Sequence, residues 1–107
     1  MQFYNFHLMP WPHLPKDFDD KAKYPSAWVT LSNKYYDPKK GQTLYNQYLD
    51  QIEYAEKLGF EGVCVNEHHQ NAYGTMPSPN IVAAMLARRT TRIKIAIIGN
   101  GLPLRDH

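Results

Sequence analysis

The run Gly62-Val63-Cys64-Val65-Asn66 limits the fold more than any other part of the chain. It is short, rich in β-branched residues and apolar at successive positions, so a strand formed there must be buried on both faces. Strands of that kind belong to parallel sheets covered by helices, because an antiparallel sheet with one wet face alternates apolar and polar residues. The flanking segments agree. Residues 2–9 are aromatic-rich and predict a first strand, stopped by Pro10 and Pro12. Residues 42–58 predict a helix: Leu44, Tyr45, Tyr48, Ile52, Ala55 and Leu58 recur at spacings of three or four, and Gly59 supplies a left-handed terminus. Ser78-Pro79 is a helix start, with serine as N-cap and proline at the first position, and the helix runs to about Arg89 with Ile81, Val82, Met85 and Leu86 on its inner side. Residues 93–98 predict a third strand that ends at Gly99-Asn100-Gly101.

The order is therefore β, long loop, α, β, loop, α, β, which predicts an α/β fold with a parallel sheet. An open doubly wound sheet and a (β/α)8 barrel both begin this way. The sequence ends at Asp106-His107 with no helix to cover the third strand. A barrel needs about 200–250 residues, so residues 1–107 read as the N-terminal part of a single larger domain. Residues 10–41 are far longer than the ~2–6 residues usual for a βα loop. They carry Trp11, Phe18, Tyr24, Trp28, Tyr35 and Tyr36, too many aromatics for a slack linker, and are read as a lid over a binding site or as a structural wrap.

Charge and cysteine usage narrow the partners. Twelve basic and ten acidic residues are scattered to a formal charge of +2, without a basic block, so nucleic acid and acidic lipid surfaces have no support. Arg88-Arg89-Thr90-Thr91-Arg92 reads as the charged end of a helix. The single cysteine, Cys64, excludes an internal disulfide and sits in an apolar run as a small buried side chain. The first residues do not resemble a secretory signal, and no apolar stretch approaches the ~20 residues that span a bilayer. A reducing cytoplasm is the expected location.

Active sites of parallel α/β folds lie at the carboxyl ends of the strands. Three polar groups fall there: Asn5 and His7, then Asn66-Glu67-His68-His69, then Gly99-Asn100-Gly101. Side-chain alternation puts Asn66 and His68 on one face, Val65 and Glu67 on the other, and makes His68 the first candidate for a reacting centre. A structural histidine is the competing reading. Glu67, His68 and His69 could also be carboxylate and imidazole metal ligands, but consecutive residues on an extended chain point apart, and further ligands would have to come from elsewhere. Gly99-Asn100-Gly101 gives only the first spacing of a dinucleotide fingerprint, although glycine there lets backbone approach a flat ligand.

Taken together, Val65-Asn66-Glu67-His68-His69, Pro79-Asn80-Ile81-Val82-Ala83-Ala84, Thr91-Arg92-Ile93-Lys94-Ile95 and Gly99-Asn100-Gly101-Leu102-Pro103 resemble the N-terminal part of luciferase-like flavin-dependent monooxygenases. The opening strand and Gly59-Phe60-Glu61-Gly62-Val63 follow the same pattern; residues 10–40 follow it least. The resemblance implies the first three βα steps of a (β/α)8 TIM barrel, truncated here. It implies an enzyme that acts on paired donors, using reduced FMN and O2 to put one oxygen atom into a small organic substrate. The reduced FMN would come from a separate NAD(P)H-dependent reductase, and the full-length protein would be a homo-oligomer. A deazaflavin-dependent oxidoreductase of the same family is the alternative, and a metal-dependent barrel or a non-enzymatic relative stands further off. By the family pattern His68 lies near the flavin ring as an acid–base or hydrogen-bonding group, supported by His69 and Glu67. Asn66, Ile98, Gly99 and Asn100 contact the cofactor, in a stretch where the family often has a non-prolyl cis peptide. The aromatic loop is longer than in the luciferase subunit, which argues against light emission on an aldehyde. The family's phosphate contacts come from later strands, so this segment alone is expected to bind flavin poorly and to be inactive.

Overall fold

The computed structural model describes residues 1–26, 30–69, 71 and 74–101; Trp28, Tyr73, Leu102 and Pro103 lie outside the described residues. The elements are β1 (Tyr4–Phe6), a 3-10 turn (Asn33–Tyr35), α1 (Pro38–Lys57), β2 (Gly62–Asn66), α2 (Pro79–Arg89) and β3 (Lys94–Ile98). The strands form a parallel sheet in the order β1-β2-β3. The protein is thus a mixed α/β structure whose central strand is the apolar run, and all five residues of β2 are buried.

Register fixes what each face carries. Tyr4 pairs with Gly62 and Phe6 with Cys64, while Cys64 pairs with Ala96 and Asn66 with Ile98. Paired residues of parallel strands project to the same side, and a Cβ on Gly62 would run into the Tyr4 ring. The opposite face carries Val63 and Val65, which pack with Ile52 of α1, Val82 and Leu86 of α2 and Met76. Both helices therefore cover one face. On the other, Phe6 is 53% and Ile98 50% exposed.

α1 begins at Pro38, four residues before the start that its periodicity predicts, which also shortens the expected 10–41 loop. Asp37 is the N-cap, its carboxylate accepting the N–H groups of Lys39 at 2.9 Å and Lys40 at 3.3 Å, and Pro38 fills the first helical position. Gly41 then lies inside the helix because the Tyr36 ring occupies the space a Cβ would need. The C-terminus closes as a Schellman motif: Gly59, at φ +88°, donates to Glu56 O and Phe60 to Ala55 O, both at 3.1 Å. That turn explains why Leu58, expected on the inner stripe, is 61% exposed. Gly59 reverses the chain, and Phe60 packs against the core instead.

α2 starts at Pro79 with Ser78 in the N-cap position, although the serine side chain makes no capping bond. Its inner stripe is Pro79, Val82 and Leu86. Ile81, expected to face inward, is 62% exposed, because one residue before Val82 lies about 100° around the helix from it. Arg89 ties α2 to α1 through Asp50 at 2.5 Å and Glu53 at 2.8 Å.

The turn into β3 is organised by one carboxylate. Glu56 accepts the N–H groups of Thr91 at 3.1 Å, Arg92 at 2.6 Å and Ile93 at 3.1 Å. These donors, that of Arg92 foremost, hold the Glu56 carboxyl below its ordinary range. A folded-state value below the unfolded one contributes stability that is complete above the unfolded value and is lost as pH falls through the folded value. Glu56→Gln is therefore expected to flatten the acid side of a stability-versus-pH profile, below the ordinary glutamate range of about 4.3. Urea midpoints measured across that range would show wild type and variant converging in acid. Parallel profiles would mean that Glu56 is not a linked group.

Candidate active site

The polar groups at the strand ends do not all meet. Asn5 pairs with Val63 and so shares the helix-covered face. His7 follows β1, and its ring turns toward α1: Nδ1 accepts the Met9 N–H at 3.0 Å, Nε2 lies 3.1 Å from Gln51 Oε1, and the Tyr48 ring is 4.9 Å away. With Nδ1 accepting, the ring proton belongs on Nε2 and points at the glutamine oxygen. Both ring nitrogens of His7 are thus engaged within the protein, by Met9 and Gln51.

Asn66 closes β2 at 5% exposure, and among the described residues neither its Oδ1 nor its Nδ2 has a hydrogen-bond partner. An unsatisfied buried amide costs about 1–3 kcal/mol per group. Beyond it the chain leaves the sheet. The Glu67 side chain is only 7% exposed, and its carboxylate bridges two elements: Oε1 accepts from His69 Nε2 at 2.6 Å, and Oε2 accepts the Gly101 N–H at 2.8 Å. Glu67 thus joins the end of β2 to the end of β3 while orienting His69, whose own side chain is 46% exposed. On β3, Ile98 lies on the open sheet face beside Asn66, and Gly99, at φ +78°, turns the chain toward Asn100. The described peptide bonds are all trans, so the cis bond suggested by the resemblance is absent from this stretch.

His68 is positioned by a returning loop and not by strand alternation. Its N–H donates to Met76 O at 3.0 Å. Its ring lies against Gly74, where a Cβ would come within 2.7 Å of Cδ2 and 2.9 Å of Cγ. Gly74 is itself fixed by Asn71, whose Oδ1 accepts the Gly74 N–H at 3.2 Å and whose Nδ2 donates to His69 O at 3.1 Å. The neighbouring Thr75 reaches across to β1's exit, its N–H and hydroxyl both donating to Met9 O, at 2.9 and 2.8 Å. Gly74→Ala is expected to push the imidazole out of this seat at a stability cost of about 1–3 kcal/mol. The His68 ring resonances should shift while those of His7 stay in place. Unchanged His68 shifts would show that the loop, not the ring, absorbs the methyl group.

His68 and His69 help line a cavity of about 420 Å³, walled across from them by Trp11, Tyr35 and Tyr36 and by Tyr45 of α1. Asn66 does not line it. Trp11 is 4% exposed and donates from Nε1 to Tyr35 O at 3.0 Å, and Tyr48 Oη donates to Pro10 O at 2.6 Å. The aromatic segment after β1 is therefore packed on the helix and the site. Sequence reasoning named Trp11, Tyr35 and Tyr36 only as part of a loop over a binding site or a structural wrap, and it missed Tyr45, Gly74 and Thr75 in the cavity lining. The density of aromatics was a signal for Trp11, whereas only the close approach of two loops reveals Gly74 and Thr75. Among the described residues no three His, Cys, Asp or Glu side chains converge as a metal-ligand group.

Residues 25–106 match the luciferase-like monooxygenase family. The chain belongs to that family. Among curated relatives, an uncharacterized protein, y4wF, of Sinorhizobium fredii is 34% identical over 58 residues, covering 51% of this chain and 17% of that protein. The 4-hydroxyprotoasukamycin monooxygenase of Streptomyces nodosus subsp. asukaensis is 38% identical over 47 residues, 44% of this chain and 13% of that enzyme. The chain thus aligns with only a small part of the length of the curated relatives it matches. No solved structure matches the chain. The matched luciferase-like region contains α1, β2, α2 and β3 and every residue from Asn66 to Asn100 discussed above.

Proposed function

We propose that the full-length protein is a flavin-dependent monooxygenase built on a (β/α)8 TIM barrel, of which this chain supplies the first three βα steps. The barrel reading is supported by family membership, by the sequential parallel order β1-β2-β3 and by a sheet face on which Phe6 and Ile98 stay exposed among the described residues. The observation that carries the functional reading is His68, held by Gly74 and Met76 at the carboxyl end of β2 and lining an aromatic cavity.

The residues present suit a flavin ring system, a flat body with a hydrogen-bonding edge. Phe6 and Ile98 offer exposed apolar surface on the sheet face, Gly99 adds no side chain at the end of β3, and the amide of Asn66 lacks a donor and an acceptor partner among the described residues. Asn66, Ile98, Gly99 and Asn100 would contact the ring. When bound, reduced flavin supplies two electrons to O2, so that one oxygen atom enters the substrate and the other leaves as water. His68 holds or moves a proton at its Nε2, since an imidazole can both donate and accept one. Glu67 accepts from Nε2 of His69 and fixes the β3 terminus, which keeps the two loop ends in register. Of the expected 10–41 lid, Trp11, Tyr35 and Tyr36 lie in the cavity wall, where they would limit the access of water.

FMN is the cofactor we favour, delivered reduced by a separate NAD(P)H-dependent reductase to a homo-oligomer in the cytoplasm. The described residues contain no helix long and apolar enough to cross a membrane. Asn66→Leu is expected to leave apo stability unchanged or raised, since it removes an unsatisfied amide, and to weaken FMN binding by about five- to twentyfold. Lower apo stability with intact FMN affinity would instead give the amide a structural partner in the rest of the barrel. The deciding experiment is anaerobic titration of the full-length protein with reduced FMN, followed by admission of labelled O2. Stoichiometric binding and one labelled atom in an organic product support the proposal. Tight binding of a deazaflavin without oxygen uptake moves the protein to the hydride-transfer branch, and binding of neither removes the flavin reading.

A further inference from the structure

We infer that the cavity between the aromatic segment and the loop carrying His68 is the substrate pocket, and that it selects a neutral, planar aromatic molecule. The inference rests on the oxygenase reading for the word substrate, but the selectivity follows from the walls alone. At about 420 Å³ the cavity lies toward the small end of the ~300–1,000 Å³ range of ligand sites. Four of its walls are the rings of Trp11, Tyr35, Tyr36 and Tyr45.

The polar atoms of those walls are largely committed within the protein. Trp11 Nε1 donates to Tyr35 O at 3.0 Å, Tyr35 Oη shares a 2.8 Å hydrogen bond with Tyr24 Oη, and Tyr45 Oη donates to Thr75 O. Thr75 and Asn71, also in the lining, spend their side chains on Met9 O, His69 O and the Gly74 N–H. A ligand therefore meets mainly ring carbon, which favours stacked or edge-on aromatic contacts. No lysine, arginine, aspartate or glutamate is among the described residues that line the cavity. Lys34 lies over the Tyr35 ring, 5.0 Å from its centroid, but is not part of the lining. The carboxylate of Glu67 stands behind His69, while Lys34 and Lys23 act on Tyr35 from outside the lining, so no charged side chain of the described lining is placed to pair with a bound anion. Burying an uncompensated carboxylate or phosphate there is costly, which separates this pocket from any site for a flavin phosphate. His68 and His69 are the imidazoles of the described lining that can exchange a proton with a bound hydroxyl-bearing ring, and His69 Nε2 is already engaged by Glu67.

Isothermal calorimetry on the flavin-free full-length protein tests this with two probes of one shape, 2-naphthol and 2-naphthoate. 2-Naphthol is expected to bind at least about tenfold more tightly than 2-naphthoate. Tyr36→Ala should weaken 2-naphthol by about three- to tenfold. Asn33→Arg places a cation on an exposed part of the wall, where folding is undisturbed. It should strengthen 2-naphthoate by about tenfold and change 2-naphthol by less than about threefold. No binding of 2-naphthol at millimolar concentration, equal affinity for both probes, or indifference to both substitutions overturns the pocket. Displacement of 2-naphthol by FMN overturns it as well, because the slot would then be the flavin's own. FMN binding without 2-naphthol binding rejects the pocket and leaves the oxygenase reading standing. The predicted probe selectivity in a protein that binds no flavin rejects the assignment as substrate.

Discussion

His68→Ala in the full-length protein is expected to lower kcat/KM for substrate oxygenation by about 10²–10⁴-fold, the usual contribution of a positioned acid–base group. The imidazole is only half-buried, and the backbone bond to Met76 that holds this loop comes from the main chain and survives the substitution. Truncating the side chain therefore removes little packing and should change the unfolding midpoint by less than a core substitution does. Flavin affinity provides the control, since none of the proposed ring contacts is removed. His68→Gln keeps a hydrogen-bonding side chain but cannot carry a proton at neutral pH, so its oxygenation should stay close to that of the alanine variant. Recovery in the glutamine variant would make His68 a hydrogen-bonding residue and not a proton carrier. Equal loss of stability and activity in the alanine variant would return it to the structural reading.

The largest stability effect is expected at Ile52→Ala, about 2–5 kcal/mol. Ile52 is fully buried in α1 and belongs to the cluster that joins that helix to Val63 and Val65 of β2 and to Leu86 of α2. Removing three carbons there loses apolar burial and leaves a cavity that three rigid elements cannot close fully. The same helix carries Tyr45, which lines the cavity, and Tyr48, whose hydroxyl holds Pro10. A weakened seat for α1 should therefore also loosen the aromatic segment and raise KM. Urea unfolding of the variant checks the first part and substrate titration the second. A loss below about 1 kcal/mol would mean that the site collapses freely, as the lower range of core truncations does.

The comparison of Ile52 with Leu58 shows what periodicity can and cannot read. Both fall on the apolar stripe predicted from the sequence, yet one is fully buried and the other 61% exposed. Spacing reports the face of a helix only while the helix lasts, and the Schellman turn at Gly59 hands the last core position to Phe60. The start of α1 at Pro38 was not read from the sequence, because its first turn, Pro38-Lys39-Lys40-Gly41, is polar and the apolar periodicity begins only at Leu44. That glycine is in the helix for the sake of the Tyr36 ring, a contact between residues whose packing no local propensity describes.

The sequence by itself determined the parallel α/β order, because a short strand apolar at successive positions belongs to a parallel sheet; among the described residues the helices cover one of its faces. It also placed Asn66, Glu67, His68 and His69 at the carboxyl end of that strand, and its motif order marked the luciferase-like resemblance. The tertiary structure alone decided how those four residues divide. Asn66 stays in the sheet with an orphaned amide, Glu67 crosses to Gly101, and His68 turns into a cavity because Gly74 leaves room for its ring. The reason is range. Alternation and capping act over a few residues, whereas the cavity brings Trp11, Tyr45 and His68 together from three separate segments, and only packing fixes where those segments meet.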